Sequence, residues 1–319
     1  MVVKWYSNCM GHVCNPLSII TGEICPHYRI CKKSCLLARE RAQKNPIFVS
    51  RPEVCLSPPL RKGELSALVI GSGPAGLAAA WELRKFGFEV TVIERQERFG
   101  GALWLIPDMR LDKKHIEKVV QDLKDAGVVF KSNTNGKIQD RFDYIVFATG
   151  TWNSRQLGIE GEEFTINALD YLILSAIGSS SVVVIGGGNV AVDCAVEAVR
   201  RGGNATVCYR KTEQFLKAEP YEIAHAKKVG VQFEFEMVPK KITSDGVQFE
   251  RKFVPCDQVV VAVGQYADLP KGIENYQNVI IVGDAALGAT SVLKAVLHAK
   301  ACVRVSQESL LNSSNPDAQ

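Results

Sequence analysis

The stretch ALVIGSGPAGLAAA, residues 67–80, decides how this chain is read. A short apolar run (67–70) feeds Gly71-Ser72-Gly73-Pro74-Ala75-Gly76, and an alanine-rich helical pattern follows. The glycines stand as G-x-G-x-x-G between a strand and a helix, the context in which this spacing cradles a pyrophosphate. Gly71 permits the tight turn, Gly73 lets backbone approach the phosphates, and Gly76 lets the helix pack closely on the strand. Free N–H groups at the helix start, aligned with its dipole, favour negative charge there. Glu94 ends the next apolar run (90–93), 23 residues after Gly71, and its carboxylate suits two ribose hydroxyls. A strand–helix turn without a ligand needs neither the acid nor its offset, so this stretch reads as a dinucleotide site.

Around this stretch, the 319 residues leave room for two or three domains, and the composition is that of an ordinary soluble chain. No apolar run approaches the ~20 residues that span a bilayer. The start, MVVKWYSNCMG, lacks the apolar core of a secretory signal. A cytoplasmic location without membrane insertion is therefore the expectation. A net charge of +4 is too small to argue for nucleic acid. Its distribution says more: residues 1–62 carry ten Lys and Arg against three Asp and Glu, so +7, which leaves −3 for the remainder. A basic segment of this kind serves as a solvated face, a foil for an anionic metal centre or a dock for an acidic partner.

Six of the ten cysteines (Cys9, Cys14, Cys25, Cys31, Cys35 and Cys55) lie in that basic segment. It has too little periodic apolar sequence for a core of its own, and a disulfide framework belongs to small secreted domains. The clustering points to metal. The compact part is Cys25-x5-Cys31-x3-Cys35, preceded by Cys9-x4-Cys14. Zinc favours paired C-x2-4-C knuckles, which do not fall out here, whereas a cubane cluster takes four thiolates at looser spacing. A cubane cluster is the expectation, with zinc and unligated thiols as alternatives. Arg29, Lys32 and Lys33 would offset part of the cluster's negative charge. A proline-bearing stretch (46–63) then reads as a linker.

Downstream, residues 113–127 space their apolar positions three and four apart, an amphipathic helix, and 128–131 and 144–148 read as strands. The second strand ends at Ala148-Thr149-Gly150, whose small residues let backbone cross close to a cofactor. A second unit follows. Residues 181–185 read as a buried strand, and Gly186-Gly187-Gly188-Asn189-Val190-Ala191 opens a helix as the G-x-G-x-x-A variant of the same fingerprint. Arg210 stands 24 residues after Gly186, so the slot that holds Glu94 in the first unit holds Arg210-Lys211 in the second. A carboxylate there repels a 2′-phosphate, whereas a guanidinium pairs with it bidentately. The pair points to NADPH rather than NADH; the alternative is that Arg210 caps a strand end on the surface. A helix at 221–229 and strands at 231–235, 247–249 and 258–263 follow, and Gly264 closes the unit. A strand at 279–282 leads into Gly283-Asp284 and a helix from Ser291 to about Ser306. A carboxylate so placed can hold ribityl hydroxyls while the helix end faces a flavin pyrimidine edge and stabilises an anionic reduced flavin.

The two fingerprints, the Ala148-Thr149-Gly150 turn and the late Gly283-Asp284 helix resemble the flavoprotein family of the glutamate synthase small subunit. The N-terminal half of dihydropyrimidine dehydrogenase and the large subunit of ferredoxin:NADP transhydrogenases belong to the same group. The resemblance spans the chain. It is carried by Gly100-Gly101-Ala102-Leu103 through Ile106-Pro107-Asp108 to Lys113, by 142–150 with Trp152, and by 182–193. Tyr209-Arg210-Lys211, 282–284 and the C-P-x4-C-x3-C segment at Cys25-Pro26, Cys31 and Cys35 complete it. It implies an α/β protein with two Rossmann-type domains, an FAD domain interrupted by an NADPH domain, behind a small Cys-rich iron–sulfur segment. The expected boundaries are 1–62 for that segment and linker, 63–150 and 265–319 for the two parts of the FAD domain, and 151–264 for the NAD(P)H domain.

The same resemblance implies that hydride passes from NADPH to FAD and that single electrons leave through a [4Fe-4S] cluster to a redox partner or larger oxidoreductase subunit, a ferredoxin-like protein being one candidate. The cofactor-contacting positions it marks are Gly71 to Gly76, Glu94, Arg95, Gly101, Ala102, Leu103, Ala148, Thr149, Gly150, Gly283, Asp284 and Ser291 for FAD. For NADP(H) they are Gly186, Gly188, Asn189, Val190, Arg210, Lys211 and Gly264. Family members carry a longer N-terminal domain with cysteines for two clusters. Here the leading C-x2-C pair is missing, so one cluster is expected on Cys14, Cys25, Cys31 and Cys35, with Cys9 as first substitute. One residue is also deleted between Leu103 and Ile106.

Three other readings compete. A disulfide reductase of the thioredoxin reductase type needs a C-x-x-C beside the flavin, and the sequence has none. A small subunit of glutamate synthase proper would feed a separate amidotransferase subunit. A non-catalytic assembly subunit would hold flavin without oxidising NADPH, against which the two intact fingerprints argue. Cys194, Cys208, Cys256 and Cys302 read as buried small apolar residues, and the five histidines as structural or surface residues.

Overall fold

The computed structural model describes Leu17 and residues 65–108, 110–135, 142–174, 181–273, 276 and 278–313, with side chains to 306. The expected metal ligands Cys9, Cys14, Cys25, Cys31 and Cys35 lie outside the described residues. The described residues up to Thr151 and from Ala267 on form one unit, and those from Trp152 to Tyr266 form a second.

In the first unit, strand β1 (Ser66–Ile70) sends Ala67 and Val69 to one side and Leu68 and Ile70 to the other, each side meeting its own apolar cluster. A strand covered on both faces is apolar throughout rather than alternating, which is why 67–70 reads as an unbroken run. The chain continues through α1 (Pro74–Lys85), β2 (Glu89–Ile93), a 3-10 turn (Gly101–Leu105), α2 (Lys114–Asp125), β3 (Val129–Lys131) and β4 (Tyr144–Phe147). Alanines at 75 and 78–80 keep α1 close to the sheet, and Trp81, with no exposed surface, fills the space beneath it. Glu82, also on α1, is 1% exposed and meets Arg304 Nε at 3.0 Å and Lys300 Nζ at 3.9 Å.

The second unit repeats the plan. It runs β5 (Asn153–Ser154), β6 (Thr165–Asn167), α3 (Ala168–Ile173), β7 (Ser181–Gly186), α4 (Asn189–Arg200), β8 (Asn204–Tyr209), α5 (Pro220–Val229) and β9 (Gln232–Phe235). An antiparallel meander of β10 (Pro239–Thr243), β11 (Gly246–Phe249) and β12 (Phe253–Pro255) precedes β13 (Gln258–Ala262) and β14 (Gln265–Tyr266). Back in the first unit come β15 (Val279–Ile281), α6 (Asp284–Leu287) and α7 (Val292–Ser313).

Both main sheets are parallel and five-stranded, ordered β15-β4-β1-β2-β3 and β6-β13-β7-β8-β9. In each, the order reverses beside the strand that carries the glycine turn. That switch point is where open α/β sheets bind ligands, beyond the carboxyl ends of the strands. The α/β class with two such sheets agrees with the sequence expectation. The differences are short elements: β5, β6, β10, β12, β14 and α3 were not anticipated, because pieces of two to six residues form when a distant partner pairs with or packs on them. No described helix is long and apolar enough to cross a membrane.

Glycine contacts fix the join of β1 to α1. A Cβ at Gly76 would lie 1.9 Å from the Gly71 carbonyl oxygen, whereas one at Gly73 would meet nothing within 4 Å. Gly76→Ala is therefore expected to lower unfolding free energy by about 1–3 kcal/mol, the usual cost of overpacking. Gly73→Ala should cost less than about 1 kcal/mol. Denaturant melts of the two variants check the contrast; equal stabilities would contradict it.

Candidate dinucleotide sites

The first site is built where β1 ends. Gly71, at φ +101°, turns the chain and donates its N–H to the Ile93 carbonyl at 2.9 Å. A Cβ on it would come 2.6 Å from the Ala148 carbonyl oxygen, so the first glycine turn and the Ala148-Thr149-Gly150 turn touch backbone to backbone. Gly73 caps α1 with no side-chain cap, and Pro74 takes the first helical position. The capless start leaves first-turn N–H groups directed outward, and the space on the Cβ side of Gly73 is open. That is the cradle a pyrophosphate needs.

Glu94 is 7% exposed. Its Oε2 accepts from the Ser72 amide at 3.0 Å and the Ser72 hydroxyl at 2.7 Å, and its Oε1 accepts from the Gln96 amide at 3.0 Å. The Ser72 oxygen in turn accepts the Gly100 N–H at 3.1 Å. The carboxylate thus ties the glycine turn to the strand end and to Gly100-Gly101. A carboxylate has about four acceptor positions, and these contacts use three. Gly101, at φ +54°, lies directly on the turn: a Cβ there would sit 2.9 Å from Gly73 Cα. Of its neighbours, Leu103 is fully buried in the core and Ala102 and Arg95 are exposed.

Two further pieces close on this turn. Thr149 Oγ1 is buried without a hydrogen-bond partner, an acceptor and donor that a ligand's polar atom would satisfy. From the other side, Gly283 at φ +65° rests on α1, where a Cβ would come 2.3 Å from Ala75 Cβ. Asp284 begins α6 and accepts from the Thr290 hydroxyl. Burial raises its pKa above the ordinary carboxylate value, against the lowering effect of Thr290. Ser291 caps α7, its hydroxyl accepting the Lys294 N–H at 3.3 Å. His298, expected to be merely structural or on the surface, accepts the Gly283 N–H at Nδ1 over 3.1 Å. Only the fold discloses that contact, since it spans 15 residues with no motif.

The second site has the same parts. A Cβ at Gly186 would lie 2.3 Å from the Ala262 carbonyl oxygen, while Gly188, which caps α4, faces open space. Gly187 lies on the Tyr209 ring, and its carbonyl accepts from the Lys217 and Ala218 amides at 2.8 and 3.1 Å. Asn189 Oδ1 accepts the Glu219 N–H at 2.9 Å, and Val190 follows in the first turn. The loop after β8 is thereby folded across the turn. Arg210 and Lys211 are both exposed at the end of β8, with the Lys211 ammonium 5.4 Å from the Phe215 ring centroid. Gly264, at φ +116°, accepts from the Arg155 N–H through its carbonyl at 2.9 Å.

None of the four described thiols is activated. Burial raises the pKa of Cys194, Cys256 and Cys302, and that of Cys208 to about 12. Among the described residues no group of His, Cys, Asp and Glu is placed to hold a metal ion.

Residues 65–292 match the family model of pyridine nucleotide-disulphide oxidoreductases. The chain is 32% identical over 268 residues to the glutamate synthase [NADPH] small chain of Azospirillum brasilense, covering 72% of this chain and 55% of that one. It is 27% identical over 312 residues to the NADPH-Fe(3+) oxidoreductase subunit beta of Geobacter sulfurreducens, covering 80% and 46%. The chain therefore spans about half the length of these relatives. Lactococcus lactis thioredoxin reductase shares the fold, with a TM-score of 0.63 at 21% identity over 78% of this chain and 100% of that one. The chain belongs to the pyridine nucleotide-disulphide oxidoreductase family, in the group that resembles glutamate synthase small chains.

Proposed function

We propose that this chain is an FAD-dependent NADPH oxidoreductase subunit that passes electrons to or from a protein partner. The observation that carries the reading is the pair of uncapped, open-faced glycine turns at Gly73 and Gly188, one followed by an acid and the other by Arg210-Lys211. The first unit, in two segments around the second, takes FAD. Its α1 N–H groups and Gly73 receive the pyrophosphate, Glu94 the adenosine ribose, Thr149 a polar atom of the cofactor, and Asp284 the ribityl hydroxyls. The second unit takes NADP(H), with the α4 start at its pyrophosphate and Arg210 and Lys211 at its 2′-phosphate. A bound flavin accepts electrons in pairs from nicotinamide and releases them singly.

The single electrons go to one [4Fe-4S] cluster on Cys14, Cys25, Cys31 and Cys35, with Cys9 as substitute, in the basic segment before the linker. Its surplus of positive charge steers an acidic redox protein, a ferredoxin-like one being a candidate, or docks a larger subunit. Relatives named as subunits and small chains support a protein partner. The similarity to glutamate synthase small chains favours one second reading, in which the partner is an amidotransferase subunit. A co-purifying amidotransferase would select it.

Three measurements test the proposal. Gly73→Asp, whose side chain has room in the folded protein, should yield folded but colourless protein; a yellow variant would overturn the first site. Arg210→Ala should raise the NADPH concentration needed for flavin reduction tenfold or more, the loss of about 1.5–3 kcal/mol of charge-assisted bonding, with little effect on NADH. An unchanged NADPH/NADH preference makes Arg210 a surface residue. Anaerobically prepared protein should contain about four irons and four labile sulfides per chain, and one zinc without sulfide would refute the cluster.

A further inference from the structure

His298 stands on α7, yet its imidazole engages the turn that presents Asp284. Gly283 uses its carbonyl on Ala286 and Leu287, at 3.0 Å each, to close the short helix α6. Val282, the residue before it, is held by its N–H on the Phe147 carbonyl at 2.8 Å. Between these two fixtures the Gly283 N–H points to His298 Nδ1 at 3.1 Å. Gly283 cannot swing to another partner easily: it is buried, it sits at φ +65°, and Ala75 lies against it.

An imidazole that accepts at Nδ1 carries its proton at Nε2 when neutral. The second nitrogen also has a partner, since Nε2 lies 3.5 Å from Cys302 Sγ, one helical turn further on. Burial raises the Cys302 pKa and keeps it a thiol, so its sulfur is a weak acceptor for that N–H. The same sulfur lies 3.8 Å from Nδ1, so the tautomer is assigned from the Gly283 N–H, a donor that Nδ1 can meet only as an acceptor.

We propose that His298, as its neutral Nε2–H tautomer, is a positioning residue for the flavin: it fixes the Gly283 peptide and through it the direction of Asp284. The proposal rests on the reading of the first unit as the FAD site. It separates two amide replacements that a merely space-filling role would treat alike. The Oδ1 of Asn at 298 can stand where Nδ1 stands, whereas the longer Gln matches Nε2.

The test uses the full chain with its cofactors, measuring FAD dissociation by the rise of free-flavin fluorescence on dilution, with thermal unfolding of each variant as the check on folding. His298→Leu and His298→Gln should release FAD tenfold or more faster at equilibrium dilution, the effect of one buried N–H left unpaired. His298→Asn should stay within about threefold of the wild type. Ring-nitrogen NMR of the wild type should show the proton on Nε2. A folded His298→Leu variant that holds FAD as the wild type does, a folded His298→Asn variant as impaired as Leu, or a proton on Nδ1 would each overturn the role while leaving the FAD site standing. A wild-type chain that carries no FAD would instead overturn the reading of the unit, and this role with it.

Discussion

Everything in the first unit depends on how closely its backbone segments approach one another at the end of β1. Gly76 lies on the Gly71 carbonyl, Gly71 on the Ala148 carbonyl, and Gly101 on Gly73, each so near that a methyl group would fall inside contact distance. These approaches bring three separate stretches of chain to one spot, and Gly283 adds a fourth by resting on Ala75. Side chains cannot do this, because a Cβ at any of those places would push the segments apart. What remains after the glycines have packed is the Cβ side of Gly73, where an added side chain would meet nothing within 4 Å. Its open face, beside a helix start without a side-chain cap, is the place left for an anion.

The second unit reaches the same arrangement with different neighbours. Gly186 packs on Ala262 across β7 and β13 as Gly71 packs on Ala148 near β1 and β4. Gly188 is open as Gly73 is. The two sites diverge one strand away. Glu94 is buried and spends hydrogen bonds on Ser72 and Gln96, so it serves the turn's own geometry as well as any ribose. Arg210 and Lys211 are exposed at the matching position. An exposed guanidinium is available for a phosphate dianion, while a buried carboxylate repels one. In the proposed reading the common turn receives the part that both dinucleotides share, and the residue at the next strand end separates them.

The features legible in the sequence are those set by local rules. Strands β1, β2 and β7 contain apolar runs that stand out, and the glycine spacing marks where α1 and α4 begin. The acid at 94 and the base at 210 follow by counting from the glycines. What escaped depends on partners far along the chain. Strand β6 exists because it pairs with β13, some 90 residues later, and β5 because it pairs with β14. The same holds within the site. That Ser72 links Gly100 to Glu94, that Thr149 has a buried unpaired oxygen, and that His298 holds Gly283 are consequences of folding rather than of any local pattern. A histidine 15 residues beyond a glycine carries no signal until the helix has docked.

The described thiols bear on whether this scaffold carries dithiol chemistry. Disulfide exchange proceeds through a thiolate, and a catalytic thiol owes its reactivity to a lowered pKa beside positive charge or a helix N-terminus. Cys194 is wholly buried on α4 with its sulfur directed to the Ala168 carbonyl at 3.6 Å, and desolvation holds it protonated. Cys208 and Cys256 sit in an apolar cluster under β7 and the meander and shift the same way. Cys302 lies 3.5 Å from His298 Nε2 and 3.8 Å from Nδ1, which already accepts the Gly283 N–H, and burial raises the pKa of this thiol too. Nothing near any of these four thiols makes a thiolate at neutral pH. The family's fold is therefore present while its dithiol chemistry is absent from the described thiols, and the sequence has no C-x-x-C pair to restore it.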